Sequence, residues 1–151
     1  MTLDMRQALP ADIPAVLALY AQPDFDNEKV LDSDAAQQVF AQFVRYPNYR
    51  LFVAIKDSAV VGSYALLIMH NLAHCGTPSA IAEDVVVAPA SQGQGIGRQM
   101  MAHALSEARR AGCYKLALSS NRKRTQSHAF YESLGFDQHG LSFVIEPSYE
   151  L

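Results

Sequence analysis

The segment from Val85 to Arg98 constrains this chain most, because an apolar β-branched run there breaks into a glycine-rich turn. The run Val85-Val86-Val87 is typical of a buried strand, and a helix is predicted to begin directly after Gly95. Glycines at positions 93, 95 and 97 remove Cβ atoms where backbone N–H groups must approach an anion. A helix that begins there adds the positive end of its dipole. The segment therefore predicts a phosphate site, and a pyrophosphate fits it best.

Two better-known glycine loops do not match this segment. A dinucleotide fingerprint starting at Gly93 and Gly95 would place its third glycine at position 98, which is Arg98. A Walker A loop ends in Gly-Lys followed by Ser or Thr, whereas Gly97 is followed by Arg98 and Gln99. An ordinary glycine-rich connection between strand and helix stays open as the alternative.

The segment resembles motif A of the GNAT family of N-acetyltransferases. In that motif a strand ends in hydrophobic-x-Val-x-Pro and is followed by Arg/Gln-x-x-Gly-x-Gly/Ala. Val85, Val87 and Pro89 match the strand part, and the loop part is matched by Gln92, Gly95 and Gly97.

A second resemblance lies downstream, in the order that the family requires. Residues 127–136, Ser-His-Ala-Phe-Tyr-Glu-Ser-Leu-Gly-Phe, are similar to the family's motif B, A-x-x-F-Y-x-x-x-G-F. The match departs only at Ser127, where alanine is usual. The two motifs and their flanks cover roughly residues 80 to 137, and together they imply an α/β (α+β) acyltransferase fold of the GNAT type. That fold has a mixed, mostly antiparallel central sheet flanked by helices.

Local patterns predict the order of the elements along one domain, residues 1–151. Strands are expected at Met5–Leu9, Leu51–Ile55, Val60–Met69, Ala80–Ala88, Tyr114–Ser120 and Leu141–Ile145, the last closing the sheet. Helices are expected after Asp12 and Asp34 as N-caps, between Gly95 and Gly112, and from Ser127 to the stop at Gly135. The stretch from Pro23 to Asp32 is polar and predicted to be irregular.

Composition excludes several classes of function. A formal charge of −3 argues against a nucleic-acid partner, and the longest apolar stretch, Tyr64–Met69, is too short to span a membrane. Cys75 and Cys113 are too few for a disulfide framework, and the N-terminal residues show no signal sequence, so a cytoplasmic protein is expected. The histidines show no recognised zinc spacing, so no metal is expected.

Acyl transfer from a thioester to an amine needs a held donor, an oxyanion contact, a base and an acid. The resemblance implies acetyl-CoA as co-substrate, held by its pyrophosphate on backbone N–H groups from Gly93 to Arg98. Exposed backbone of Val85 and Val87 would pair with the amides of pantetheine as an added strand does, and a main-chain N–H near Val85 could polarise the thioester carbonyl. The predicted cofactor contacts in this segment are Val85, Val86, Val87, Gln92, Gly93, Gln94, Gly95, Ile96, Gly97 and Arg98. Asn121 is a further candidate for pantetheine, and Arg122-Lys123-Arg124 is either a solvated loop or a contact to the 3′-phosphate.

Tyr131 is the predicted general acid, because a phenol with a pKa of about 10 stays protonated at neutral pH and can donate to the departing thiolate. Its position in the helical stripe 127, 130, 131, 134 leaves a core role open. Glu83 and Asp84 interrupt an otherwise apolar strand, and one of them is expected to receive the amine's proton through water. Glu83 is preferred as the base and Asp84 as a substrate contact, with a structural ion pair as the alternative.

The sequence thus predicts an enzyme that moves acetyl to a primary amine of a small molecule by direct attack. A homodimer is expected from the resemblance and from the apolar final strand. Two other functions stay open: a module that senses acetyl-CoA without turnover, and an acetyltransferase for proteins or peptides. The acceptor and the preferred acyl chain are not specified by the sequence.

Overall fold

The computed structural model describes residues 2–26 and 29–150. Contacts between Cα atoms divide the chain into two compact units, residues 1–118 and 119–151. The predicted single functional domain over residues 1–151 stays a prediction.

The first unit contains a five-stranded sheet in the order β1-β2-β3-β4-β5. Neighbouring strands are antiparallel except for β5, which runs parallel to β4. The predicted mixed, mostly antiparallel sheet is therefore confirmed. The strands are Asp4–Gln7 (β1), Tyr49–Lys56 (β2), Ala59–Met69 (β3), Ser79–Val87 (β4) and Leu116–Ala117 (β5).

The turn between β2 and β3 is tighter than predicted. Only Asp57 and Ser58 lie outside the strands, and both have positive φ, 50° and 65°. Two successive left-handed residues are typical of a type I′ turn, whose twist matches that of paired strands. The register of β2 and β3 depends on this turn and on a register shift between Ala54 and Ile55, and it places Leu51 opposite Ala65. Ala65 is in turn opposite Glu83 on β4.

Among the described residues, a 3-10 helix at Pro10–Asp12 and three α-helices precede the long hairpin: Ile13–Tyr20 (α1), Pro23–Asp26 (α2) and Ser33–Phe43 (α3). One side of the sheet and the helices α1 and α3 share a hydrophobic core, made of Ala8, Ile13, Val16, Ala36, Leu51, Val53 and Ala65. The short helix α2 lies where an irregular segment was predicted, and Pro23 at its first position suits a helix start.

Asp12 lies at the predicted N-cap position of α1 but its side chain makes no capping bond, and the predicted cap Asp34 is wrong. The carboxylate of Asp12 accepts hydrogen bonds from Arg6 and from the N–H of Leu9, so it holds the end of β1 and does not cap α1. The cap of α3 is Asp32, whose Oδ1 accepts from the N–H of Ala35 at 3.0 Å. Asp32 has the extended backbone that a capping residue needs, whereas Asp34 already lies in the first turn.

The helix after the glycine-rich turn, Ile96–Arg110 (α4), packs on the other side of the sheet. It ends as predicted at Gly112, which has φ +73°. Gly112 donates to the carbonyl of Arg109, and Cys113 donates to that of Ala108. These two bonds are a Schellman motif, which satisfies the last carbonyls of the helix.

Of two strand predictions near the C-terminus, one is confirmed only over a shorter range and the other is wrong. Of the expected strand Tyr114–Ser120, only Leu116 and Ala117 pair with β4. The expected strand Leu141–Ile145 is absent from the described residues, and four apolar side chains in this segment are 58–96% exposed: Leu141, Phe143, Val144 and Ile145. An apolar run has the propensity for a strand but forms one only where a partner strand supplies the hydrogen bonds.

The second unit contains the helix Thr125–Ser133 (α5). It begins two residues before the predicted Ser127 and ends at Gly135, whose φ is +98°. Gly135 donates to the carbonyl of Glu132 and Phe136 to that of Tyr131, so this helix also closes with a Schellman motif.

Candidate active site

The glycine-rich turn leads directly into α4, as predicted. Gly93 and Gly95 have φ of +75° and +78°, and a Cβ built on either would meet no atom within 4 Å. Gly95 is the N-cap of α4, and its carbonyl accepts from the N–H of Gln99 at 3.1 Å. The N–H groups of Ile96, Gly97 and Arg98 therefore precede the first intrahelical bond of α4. Such a terminus can bind an anion, and open space in front of the glycines leaves room for a phosphate.

The two glutamine side chains of the turn hold its shape. Gln92 donates from Nε2 to the carbonyl of Val87 at 3.3 Å, and Gln94 donates to the carbonyl of Ala90 at 3.1 Å. Lys56 donates from Nζ to Oε1 of Gln94 at 2.6 Å. Lys56 thus brings a positive charge to the turn from the end of β2, a contact that the sequence reasoning missed.

The outer edge of β4 has no strand partner over most of its length in the part of the chain that the structure describes. Strand β5 pairs only with Ala80 and Ile81, so among the described residues no strand pairs with the outer edge from residue 82 to 87. Ala88 donates its N–H to the carbonyl of Val61 on β3. Since successive residues of a strand direct their backbone groups to opposite sides, those of Val87 and Val85 face the outer edge.

Gln22, which follows α1, occupies part of this edge. Its Nε2 donates to the carbonyl of Val87 at 3.1 Å, the same oxygen that accepts from Gln92. No local pattern in the sequence singles out Gln22, because its contact joins residues 65 positions apart.

A β-bulge interrupts β4 at the acidic pair. Ser63 on β3 is opposite Val86, and Ala65 is opposite Glu83, so Asp84 and Val85 both face Tyr64. Asp84 has φ +53°, a backbone conformation that non-glycine residues rarely adopt. Bulges are common beside active sites, where they redirect side chains and release backbone groups from pairing.

The two carboxyl groups interact with each other. Although Glu83 is a solvent-exposed residue, neighbouring atoms remove part of the water from its carboxyl, and this desolvation is the main cause of its raised pKa. The negative charge of Asp84 raises the pKa of Glu83 further. Among the described residues Glu83 forms no ion pair, so the structural ion pair considered for this position is absent there.

Tyr49 lies close to the same two carboxyl groups, and the sequence reasoning missed it. Burial raises the pKa of the Tyr49 phenol, and the charges of Asp84 and Glu83 raise it further. The ring is stacked on Phe43 with centroids 4.5 Å apart, and its edge contacts Tyr46. Only the register of three strands places Tyr49 on the side of the sheet that Glu83 faces.

In the second unit Tyr131 lies on α5 and is partly buried. Its ring contacts Phe130 and Phe136, with centroids 5.2 and 5.7 Å apart. Burial raises the pKa of Tyr131, while the charge of Arg124 acts in the opposite direction. The hydroxyl is therefore protonated at neutral pH, which a general acid requires.

Asn121 makes local contacts at the start of the loop before α5. The side-chain oxygen of Asn121 accepts from the backbone N–H of Lys123 at 2.9 Å. The backbone carbonyl of Asn121 accepts from the backbone N–H of Arg124. The predicted contact of Asn121 with pantetheine, and that of residues 122–124 with a phosphate, stay predictions.

No group of three or more potential metal ligands occurs among residues 2–26 and 29–150. In the same ranges no helix is long and apolar enough to cross a bilayer.

Comparison with known proteins decides the family. The model of the acetyltransferase (GNAT) family matches residues 13–136, which include both motifs. This chain belongs to the GNAT family. It is an acetyltransferase, and the co-substrate of this family is acetyl-CoA.

Two curated relatives match nearly the whole chain. An aminoalkylphosphonate N-acetyltransferase from Salmonella typhimurium is 36% identical over 93% of this chain and 89% of its own length. An aminoglycoside N(6′)-acetyltransferase from Stenotrophomonas maltophilia is 32% identical over 89% of this chain and 86% of its own length. A solved structure from Agrobacterium tumefaciens matches 95% of this GNAT chain and 99% of its own, with a TM-score of 0.88 and 37% identity. Both of these curated relatives are N-acetyltransferases that act on small molecules.

Proposed function

We propose that this GNAT protein transfers the acetyl group of acetyl-CoA to a primary amine of a small molecule by direct attack. The observation that carries the proposal is the order of features on β4. A bulge at Asp84 and Val85 is followed at Val87 by an outer edge that, among the described residues, is bonded by glutamine side chains and by no strand. The open helix terminus at Gly95 comes next. Together they offer a carbonyl contact, a strand-like edge for the pantetheine amides and a site for the pyrophosphate.

In the proposed reaction the amine nitrogen attacks the thioester carbon, and the carbon–sulfur bond breaks as the new carbon–nitrogen bond forms. The N–H of Val85 donates to the oxygen that becomes negative in the transition state. Glu83 accepts the proton that the amine loses, through a water molecule. Tyr131 donates a proton to the departing thiolate. No covalent enzyme intermediate is required, and the raised pKa of Glu83 suits a base that works near neutral pH.

Asp84 is proposed to bind the acceptor amine beside Glu83. Two carboxyl groups and the ring of Tyr49 surround this position, and such surroundings favour a positively charged amine over a neutral one. The acceptors of the two relatives differ in charge, because a phosphonate is anionic and an aminoglycoside carries several amines. The negative charges of Glu83 and Asp84 favour acceptors of the second kind.

A screen for thiol release from acetyl-CoA tests this function. The acceptors are aminoalkylphosphonates, aminoglycosides, amino sugars, amino acids and lysine peptides, and mass spectrometry identifies the acetylated product. We expect acceptor-dependent thiol release with at least one small amine, and more with cationic acceptors than with phosphonates. Release with peptides alone would indicate a protein acetyltransferase. Binding of acetyl-CoA without release in any arm would refute the proposed reaction.

We further propose that a single catalytic domain, residues 1–151, works in the cytoplasm as a homodimer. The apolar side chains of residues 141–145 support a second copy of the chain as a partner, because a contiguous exposed apolar segment is typical of an interface.

A further inference from the structure

We propose that Tyr64 is a positioning residue: it fixes helix α4 against the bulge of β4 and so sets the distance between the pyrophosphate site and Val85. This inference rests on the proposed function. Acetyl-CoA has a fixed chemical length between its pyrophosphate and its thioester. The protein must present the two binding sites at the matching separation, and these sites lie on different elements, α4 and β4.

Tyr64 is the residue on β3 that faces the bulge. The strand register pairs Ser63 with Val86 and Ala65 with Glu83, which leaves Tyr64 opposite Asp84 and Val85. Any displacement of β3 at Tyr64 therefore acts on the two residues that carry the strained backbone and the proposed oxyanion contact.

The side chain of Tyr64 joins this position to α4. It is fully buried, and its hydroxyl forms a 2.6 Å hydrogen bond with Nδ1 of His103. Its ring is stacked on Phe52 at 5.4 Å, and Phe52 in turn meets the edge of the His103 ring at 4.9 Å. His103 lies about 10 Å along the helix from Ile96, at a rise of about 1.5 Å per residue. A directional bond here fixes where α4 lies along the sheet.

Two other contacts set the rest of the geometry. A Cβ on Gly62 would lie 2.6 Å from Sδ of Met100, so α4 approaches β3 as closely as a glycine allows. Farther along the helix, Glu107 is buried and paired with Arg50 of β2 at 2.8 Å. The Gly62 contact sets the distance of α4 from the sheet. The hydrogen bond between Tyr64 and His103 and the ion pair between Arg50 and Glu107 set the position of α4 along the sheet.

The protonation states suit this hydrogen bond. Burial lowers the pKa of His103, and the charges of Arg110 and Arg50 lower it further, so the ring is neutral at neutral pH. Burial also raises the pKa of Tyr64, which keeps its hydroxyl protonated. A neutral imidazole has one nitrogen that accepts, so Tyr64 can donate to Nδ1 when the ring proton is on Nε2.

The test compares Tyr64→Phe with Ser63→Ala. Tyr64→Phe keeps the stacked ring and removes only the hydroxyl. Ser63→Ala is the matched control, since Ser63 is also fully buried on β3 and its hydroxyl donates to the carbonyl of Phe52 at 3.0 Å. Both variants lose one buried hydrogen bond, but only Tyr64 contacts α4 through it.

We expect both variants to unfold at a similarly lowered temperature. Only in Tyr64→Phe should kcat with the best acceptor fall, by about tenfold. This loss is smaller than the roughly 10²-fold loss that a misplacement by 1 Å can cause, because the remaining contacts still hold α4. The affinity for ADP, which has the pyrophosphate but no pantetheine arm, stays within about threefold, because the helix terminus itself is unchanged. The backbone amide NMR signals of Asp84 and Val85 shift in the ligand-free Tyr64→Phe protein and not in Ser63→Ala.

His103→Phe removes the same bond from the helix side, and keeps the test usable if Tyr64→Phe does not fold. Combining the two substitutions should lower kcat no further than either alone, because both remove one interaction. Equal effects of Tyr64→Phe and Ser63→Ala on kcat and on the two amide signals, or no effect of either, would overturn the positioning role. If the parent protein turns over no acceptor, the proposed function fails, while the amide signals still test the link between α4 and the bulge.

Discussion

Replacing Gly95 by valine tests the pyrophosphate site most directly. Gly95 has φ +78° and caps α4, and open space surrounds the position of its missing Cβ. A Cβ there meets no protein atom within 4 Å, and the branched side chain of valine would enter the space that a phosphate oxygen would occupy. The left-handed backbone costs an L-residue about 1–2 kcal/mol. The variant should therefore fold, with reduced stability, and lose its binding of acetyl-CoA.

Gly112→Val is the matched control. Gly112 has φ +73°, also has no atom within 4 Å of its missing Cβ, and lies at the opposite end of the same helix. Its substitution imposes the same backbone strain without touching the glycine-rich turn. In a chain of this length about 1–2 kcal/mol corresponds to roughly 2–8 °C in Tm. Both variants should show a loss of this size in the absence of ligand.

Thermal unfolding with and without acetyl-CoA separates the two variants. At a ligand concentration of about 100 times Kd the parent gains about 2.7 kcal/mol, which corresponds to roughly 5–11 °C. Gly112→Val should keep this gain, and Gly95→Val should lose it. An equal gain in both variants would show that the anion does not bind at the helix terminus. A parent protein that gains nothing would refute the acetyl-CoA site altogether.

Tyr131→Phe keeps the ring and removes the hydroxyl, so kcat should fall by about 10² to 10⁴ while the affinity for acetyl-CoA stays nearly constant. A kcat within about threefold of the parent would show that Tyr131 is not the acid. Asp84→Asn removes a negative charge that raises the pKa of Glu83, so this pKa should fall. Since the base acts when deprotonated, the acidic limb of the pH profile of kcat/KM should then move to lower pH. A limb that stays in place or moves to higher pH would exclude Glu83 as the base. Light scattering should give the mass of a dimer at micromolar concentration, and the double variant Leu141→Ser, Phe143→Ser should give the mass of a monomer. A monomeric parent would contradict the proposed dimer.

The sequence by itself predicted the features that local chemistry determines. The turn at Gly93 and Gly95 was predicted because glycine has no Cβ atom, and both residues have the positive φ that this property permits. Helix α4 ends at Gly112 and helix α5 ends at Gly135 because glycine adopts the positive φ that closes a helix. Short, nearly continuous apolar runs predicted the strands β2 and β3, since strands buried on both faces have that composition.

The tertiary structure alone decided which distant residues meet. Tyr49 lies near Glu83, Gln22 contacts Val87, and Tyr64 bonds to His103, and none of these pairs has a local pattern. The bulge at Asp84 and the unpaired segment 141–145 were also invisible in the sequence. Pairing and register depend on the free energy of the whole sheet, which is a sum over contacts between residues far apart in the chain. Local propensity supplies only a small part of that sum, so it predicts a strand but not its partner.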